Sequence, residues 1–212
     1  MTSEQKIQIQ DFLGRLNIDP PVEELDRTPD GKAKTLPISF VEMKLDEIFL
    51  GEWGSFGFTS KVISNEVCGE LTLWVVNPIT GTRIERVGAA AIIIQVDKAP
   101  EDLSGKDRNQ WAIDVLNKKP NALDLGYPKL KAECLKNAAQ SLGKVFGRDL
   151  NRKKKDSYVP QYKTLSDKGF KSLLDRIDGG DQTARALAEA NFALTELQEE
   201  ILNGTKIKQL NG

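Results

Sequence analysis

The chain predicts an α+β fold with a β-β-β-α core: a three-stranded antiparallel sheet backed by one long helix, with flanking helices. Three observations carry this. Residues 56–67 and 70–76 alternate apolar and polar side chains, the period of a half-buried strand. A further β-rich run, 82–96, follows the tight turn Asn77-Pro78-Ile79-Thr80-Gly81. Beyond it, Leu130, Cys134, Leu135, Ala138, Leu142, Val145 and Phe146 fall within one arc at 100° per residue.

Taken in order, residues 4–16 form a short amphipathic helix stopped by Asn17-Ile18-Asp19-Pro20-Pro21. A polar loop runs through Asp30-Gly31, residues 36–40 suit a short edge strand, and 41–49 suit a second short helix. Cys68-Gly69 separates the first two sheet strands and reads as their hairpin turn. In the third strand Arg83, Glu85 and Arg86 keep the first half polar. After Gly88 both faces turn apolar, so the second half is expected to be covered on both sides. Gly88 itself marks a bulge or a close backbone approach. Residues 99–123 form a polar loop with one amphipathic piece at 111–116. The main helix starts near Leu125 or Pro128 and runs to Phe146. Thr164 or Ser166 caps a further helix ending near Ile177, Gly179-Gly180 breaks it, and 183–202 forms the last helix. The organisation is an N-terminal helix and loop (1–35), a core (36–155) and a C-terminal helical segment (156–212).

Composition narrows the chemistry. The chain contains no histidine, which removes histidine-based nucleophile pairs, general bases and most catalytic zinc sites. Cys68 and Cys134 supply neither a disulfide framework nor a four-ligand metal site, and each reads as a small buried apolar residue. No signal peptide is legible at the N-terminus, and the longest apolar stretch, 87–96, is about half a membrane span. A cytoplasmic, non-enzymatic protein without a cofactor or a membrane is expected.

The net charge of −1 conceals a division along the chain. Residues 1–50 carry −4, 51–128 carry −2 and 156–212 carry −2, whereas 129–155 carry +7. Lys129, Glu133, Lys136, Gln140 and Lys144 line the helix face opposite the apolar arc, and Arg148, Arg152, Lys153, Lys154 and Lys155 follow as a basic tail. Such density suits a phosphate backbone, with counterion release and a steep salt dependence. Tyr127, Tyr158 and Tyr162 flank the segment and are candidates for base stacking. Arg83 and Arg86 are secondary candidates. The stretch Gly143-Lys144-Val145-Phe146-Gly147 lacks the spacing of a P-loop.

Several of these stretches occur together, in the same order, in one family. Leu45-Asp46-Glu47-Ile48-Phe49, Gly51-Glu52-Trp53 and Val87-Gly88, then residues 131–139 and Leu142-Gly143-Lys144-Val145-Phe146-Gly147, resemble the annealing domain of the Rad-fifty-two family, most closely its short phage-encoded members. The resemblance covers 36–155. It implies ATP- and metal-independent annealing of complementary single strands of DNA by a ring-shaped or helical homo-oligomer, in recombination and repair. Lys136 matches a groove cation of the family, while Asn137 and Gln140 stand where the family carries two others. Expected partners are single-stranded DNA, further copies of the chain, and a single-strand-binding protein or an exonuclease.

Three other classes compete. A Mg²⁺-dependent nuclease of restriction-endonuclease-like fold shares the element order, but the second strand has no Asp, and Asp97-Lys98 lacks the Glu-x-Lys spacing. Glu42-Met43-Lys44 has the spacing and precedes the sheet. A double-stranded RNA-binding module also shares the order, with shorter strands. An oligomeric structural protein would carry the same cations as mere surface.

Overall fold

Gly88 governs how the core is assembled. It pairs with Leu71 across the sheet, and a Cβ at this position would lie 2.1 Å from the backbone oxygen of Cys134 and 2.5 Å from the nitrogen of Ala138. The long helix reaches the sheet because this side chain is missing. Of the two readings of Gly88, close approach is the one observed.

A computed structural model of the protein describes residues 3–28, 31–156, 163–181 and 183–210. The fold is α+β. Its elements begin with α1 (Ser3–Leu16), β1 (Asp26–Arg27), β2 (Lys34–Thr35) and α2 (Ile38–Phe49). The sheet strands β3 (Trp53–Ile63), β4 (Glu66–Val76) and β5 (Arg83–Ile93) follow, then α3 (Gly105–Ile113) and α4 (Ala122–Gln140). The chain continues through β6 (Lys163–Thr164), α5 (Asp167–Asp178), α6 (Ala184–Asn191), β7 (Phe192–Ala193) and α7 (Glu196–Leu210). It divides into two compact units, Leu16–Lys155 and Met1–Arg15 with Asp156–Gly212.

In the Leu16–Lys155 unit the sheet has the order β3-β4-β5, all antiparallel. Period-two alternation sends Val67, Leu71, Leu73 and Val75 of β4 into the core. Leu130, Cys134, Leu135 and Ala138 of α4 are buried as their arc predicts, together with Val41, Leu45, Ile48 and Phe49 of α2. Each large aliphatic side chain so buried contributes about 1.5–3 kcal/mol. Burial pushes the Cys134 thiol up from its ordinary pKa. Cys68, on the opposite sheet face, is only half-buried.

Several expectations are corrected here. Residues 36–40 do not form an edge strand; α2 begins at Ile38, behind Pro37, which cannot donate to a strand ladder. The β3–β4 turn falls at Ser64-Asn65, with Ser64 in the left-handed region, rather than at Cys68-Gly69. Gly69 lies inside β4, where a Cβ would meet the Leu130 side chain at 2.9 Å. The second half of β5 is not covered on both faces: Ala89, Ala91 and Ile93 are exposed, Ile93 by 70%. The amphipathic piece at 111–116 is divided between α3 and a 3-10 turn at Asp114, whose carboxylate accepts from Leu116 N at 2.9 Å. The main helix ends at Gln140, and Lys144–Phe146 form a separate 3-10 turn after an extended Gly143.

In the other unit, Phe170, Leu173, Ala184, Ala188, Leu194 and Leu202 form a small core. Ser166, one of the two expected caps, accepts from Gly169 N at 3.2 Å at the start of α5. The Asp181 carboxylate caps α6 by accepting from Thr183 N and Ala184 N at 3.0 and 3.1 Å. The Thr183 hydroxyl, which donates to the same carboxylate at 2.7 Å, and then Arg176 hold its pKa down to about 2. The single helix expected over 183–202 is two helices separated by β7, which pairs in parallel with β6. Thr195-Glu196-Leu197-Gln198 is the reason. Thr195 N donates to Gln198 Oε1 (3.1 Å) and Gln198 N donates to Thr195 Oγ1 (3.3 Å), a capping box that starts α7 afresh. No helix among the described residues is long and apolar enough to cross a membrane.

Candidate nucleic-acid interface

The free edge of β5, the polar face of α4 and the β1–β2 hairpin enclose an open groove of about 820 Å³. The strand side is apolar backbone edge, Ala89 to Ile93, and the helix side presents Lys129, Glu133, Lys136, Asn137 and Gln140. Thr35 and Leu36 close it from the hairpin side, and Gly147 and Leu150 reach it from the chain leaving α4.

The helix cations differ in their surroundings. Lys129 is exposed. The Lys136 side chain is only 12% exposed, and its ammonium meets three acceptors: Glu133 Oε1 at 2.7 Å, Thr35 Oγ1 at 3.3 Å and Leu36 O at 3.3 Å. An ammonium has three donors, so this set is complete. Lys136 thus ties α4 to the end of β2. Asn137 accepts from Ala89 N at 3.1 Å, closing one donor of the β5 edge. Lys144 is half-buried in the 3-10 turn beyond Gly143 and does not continue the α4 face, because that helix has already ended.

The basic segment that follows is also divided. Arg148 donates to Gln140 O at 3.1 Å and to Ser141 O, placing a cation on the last carbonyls of α4. Arg152 pairs with Asp149 at 3.0 Å and Lys155 with Asp19 at 2.8 Å. Lys153 and Lys154 are exposed and meet no acceptor among the described residues.

Arg83 and Arg86 lie on opposite sheet faces. Arg86 pairs in register with buried Leu73, on the α4 side, and donates to Glu85 O at 2.8 Å. Arg83 lies on the other face, 4.8 Å from the Trp74 ring centroid and 5.8 Å from that of Phe56, with Glu85 at 2.9 Å. Their odd spacing along one strand separates them, so they do not belong to one surface. Tyr127 packs edge-on to Phe58, ring centroids 6.4 Å apart, and its hydroxyl shares a 2.7 Å hydrogen bond with that of Ser60. Tyr158 and Tyr162 lie outside the described residues.

Sequence reasoning missed the hairpin. Arg27, Lys32 and Lys34 are exposed on it, and Asn151 binds Lys34 through both backbone groups. Asp30-Gly31 between two short runs was the available signal, a dipeptide typical of hairpin turns.

Among the described residues no three His, Cys, Asp or Glu side chains group to hold a metal ion. Asp97, beyond the end of β5, donates its backbone N–H to Asn117 O at 2.8 Å, and Glu42 and Lys44 lie on α2. No protein-family model matches this chain, and no curated protein matches its sequence.

Proposed function

We propose that the protein binds single-stranded DNA along the groove between β5, α4 and the hairpin, and anneals complementary strands without ATP as a homo-oligomer. The observation that carries this reading is the pair of exposed ammonium groups of Lys153 and Lys154, which meet no acceptor among the described residues, in the same basic segment whose Lys129 lines the groove. These cations belong to a segment of +7 in a chain that is otherwise acidic. Exposed ammonium groups bind phosphates at little desolvation cost and release the condensed counterions.

The resemblance to the Rad-fifty-two family adds annealing to binding, and the order of the motifs along 36–155 supports it. Oligomerisation is supported by the sheet itself. Both β3 and β5 are edge strands, and Phe56, Ile63, Val87 and Ile93 are exposed. Strands of a neighbouring copy would satisfy those edges and cover that apolar surface. We assign no catalytic residue and no cofactor.

The test is fluorescence anisotropy of a labelled single-stranded oligodeoxythymidylate over a salt series, followed by ATP-free annealing of two complementary strands. Binding that tightens steeply as salt falls, annealing, and rings or filaments in electron micrographs are expected. Tighter binding to duplex RNA, or Mg²⁺-dependent cleavage lost on Asp97→Asn, would replace this reading with a competing one.

A further inference from the structure

The β1–β2 hairpin has two rungs, Asp26 with Thr35 and Arg27 with Lys34. Its second rung sets two exposed cations directly opposite each other. Like charges so placed destabilise a strand pair, and beyond the two rungs Thr28 and Ala33 bond across the hairpin, Thr28 N to Ala33 O at 2.9 Å and Ala33 N to Thr28 Oγ1 at 3.1 Å. Arg27 donates to Gly31 O at 3.1 Å, while the Lys34 ammonium meets no acceptor among the described residues.

The hairpin is held from outside by Lys136 at Thr35 and Leu36, and by Asn151 at Lys34. Asn151 Oδ1 accepts from Lys34 N at 2.8 Å, and Asn151 Nδ2 donates to Lys34 O at 2.8 Å. One amide side chain thereby reproduces the two bonds that a residue on an adjacent antiparallel strand would exchange. The contact joins residues 117 positions apart and sets Lys34 next to the segment that carries Lys153 and Lys154. Lys34, Lys153 and Lys154, whose ammonium groups meet no acceptor among the described residues, are thus joined through Asn151, which bonds the Lys34 backbone and precedes Lys153 by two positions.

We propose that the hairpin is the second half of a phosphodiester-binding site: Arg27 and Lys34, with Lys153 and Lys154, hold neighbouring phosphates of a single strand, and Asn151 is the positioning residue. The proposal rests on the single-strand reading above. It explains why a like-charge rung is retained: a bound polyanion converts its repulsion into attraction. It also gives the neutral Asn151 a part that charge counting does not find.

The experiment compares wild type, Arg27→Gln/Lys34→Gln, Arg27→Lys/Lys34→Arg and Asn151→Ala. Each is titrated with labelled oligodeoxythymidylate over a salt series and followed by thermal unfolding. Removing two phosphate contacts flattens the slope of log affinity against log salt by about 1.4. The charge-preserving pair keeps the wild-type slope. Removal of the like-charge rung leaves the melting temperature unchanged or raises it, so lost binding is not lost folding. Asn151→Ala removes no charge, yet flattens the slope by about 0.7 or more, because Lys34 no longer stays beside the tail. An unchanged slope in the double Gln variant, with Lys153→Gln/Lys154→Gln still flattening it, overturns the hairpin site and leaves the single-strand reading standing. A wild-type protein that does not bind the oligonucleotide overturns both. A double Gln variant that binds less well at an unchanged slope also overturns the site, since the lost contacts were not ionic.

Discussion

The polar face of α4 and the segment after it carry the same kind of charge in different states. On α4, Lys136 is mostly buried and meets three acceptors, and neighbouring Asn137 closes a backbone donor of β5. After α4, Lys153 and Lys154 are exposed and meet none among the described residues. The difference follows from desolvation. A cation pressed between a helix and a strand must find partners inside the protein, whereas one in solvent keeps its hydration until a ligand replaces it. Charge density along a sequence does not distinguish the two. Packing does, and it assigns Lys136 a tie between α4 and β2.

The largest effect tests the packing side of the comparison. Gly88→Ala is expected to cost about 3 kcal/mol, because the Cys134 and Ala138 backbone atoms it would strike cannot turn aside. Urea denaturation measures it, and wild-type stability would mean that α4 does not lie on β5 as described.

Next comes the contrast between the two regions. Lys153→Gln/Lys154→Gln is expected to flatten the salt dependence of single-strand binding by about 1.4. Its unfolding free energy should stay within about 0.5 kcal/mol of wild type. Lys136→Met should do the reverse. It leaves Glu133, Thr35 and Leu36 O without their donor, costs about 1–2 kcal/mol, and keeps the wild-type slope. If Lys136→Met flattens the slope as a tail lysine does, the division between tie and ligand collapses.

Arg148→Ala refines the boundary. Within the basic segment Arg148 serves the helix end, so its loss should cost about 1 kcal/mol in stability. Its effect on binding should be smaller than that of Lys153→Gln or Lys154→Gln.

The smallest effect lies in the other unit and serves as a control. Asp181 has a pKa lowered from 3.8 to about 2 in the folded chain. Its contribution is therefore fully present above about pH 4 and is lost as pH falls through about 2, where protonation releases Arg176 and the α6 cap. In an acid titration followed by circular dichroism, Asp181→Asn should remove this part of the transition and leave single-strand binding at neutral pH unchanged.

Much of the core was legible because its signals are local. The arc through Leu130, Cys134 and Ala138 and the alternation of Leu71, Leu73 and Val75 are periodic, and each is buried as its period predicts. Ser166 was legible for the same reason, as a cap bonding three residues ahead. The break before α7 was just as local, in Thr195-Glu196-Leu197-Gln198, but the strong helix formers around it masked the capping box. Gly69 was misread because a glycine signals a turn and a close approach alike, and only Leu130, far along the chain, separates the two meanings.

Charge, period and composition are properties of neighbouring residues, so the sequence by itself determined the β-β-β-α core, the absence of histidine chemistry and the +7 segment. Which of those cations are free was decided only by tertiary structure. Asp19 reaches Lys155, Thr35 and Leu36 reach Lys136, and Asn151 reaches Lys34, each across a hundred residues or more. A charge's availability depends on what folds against it.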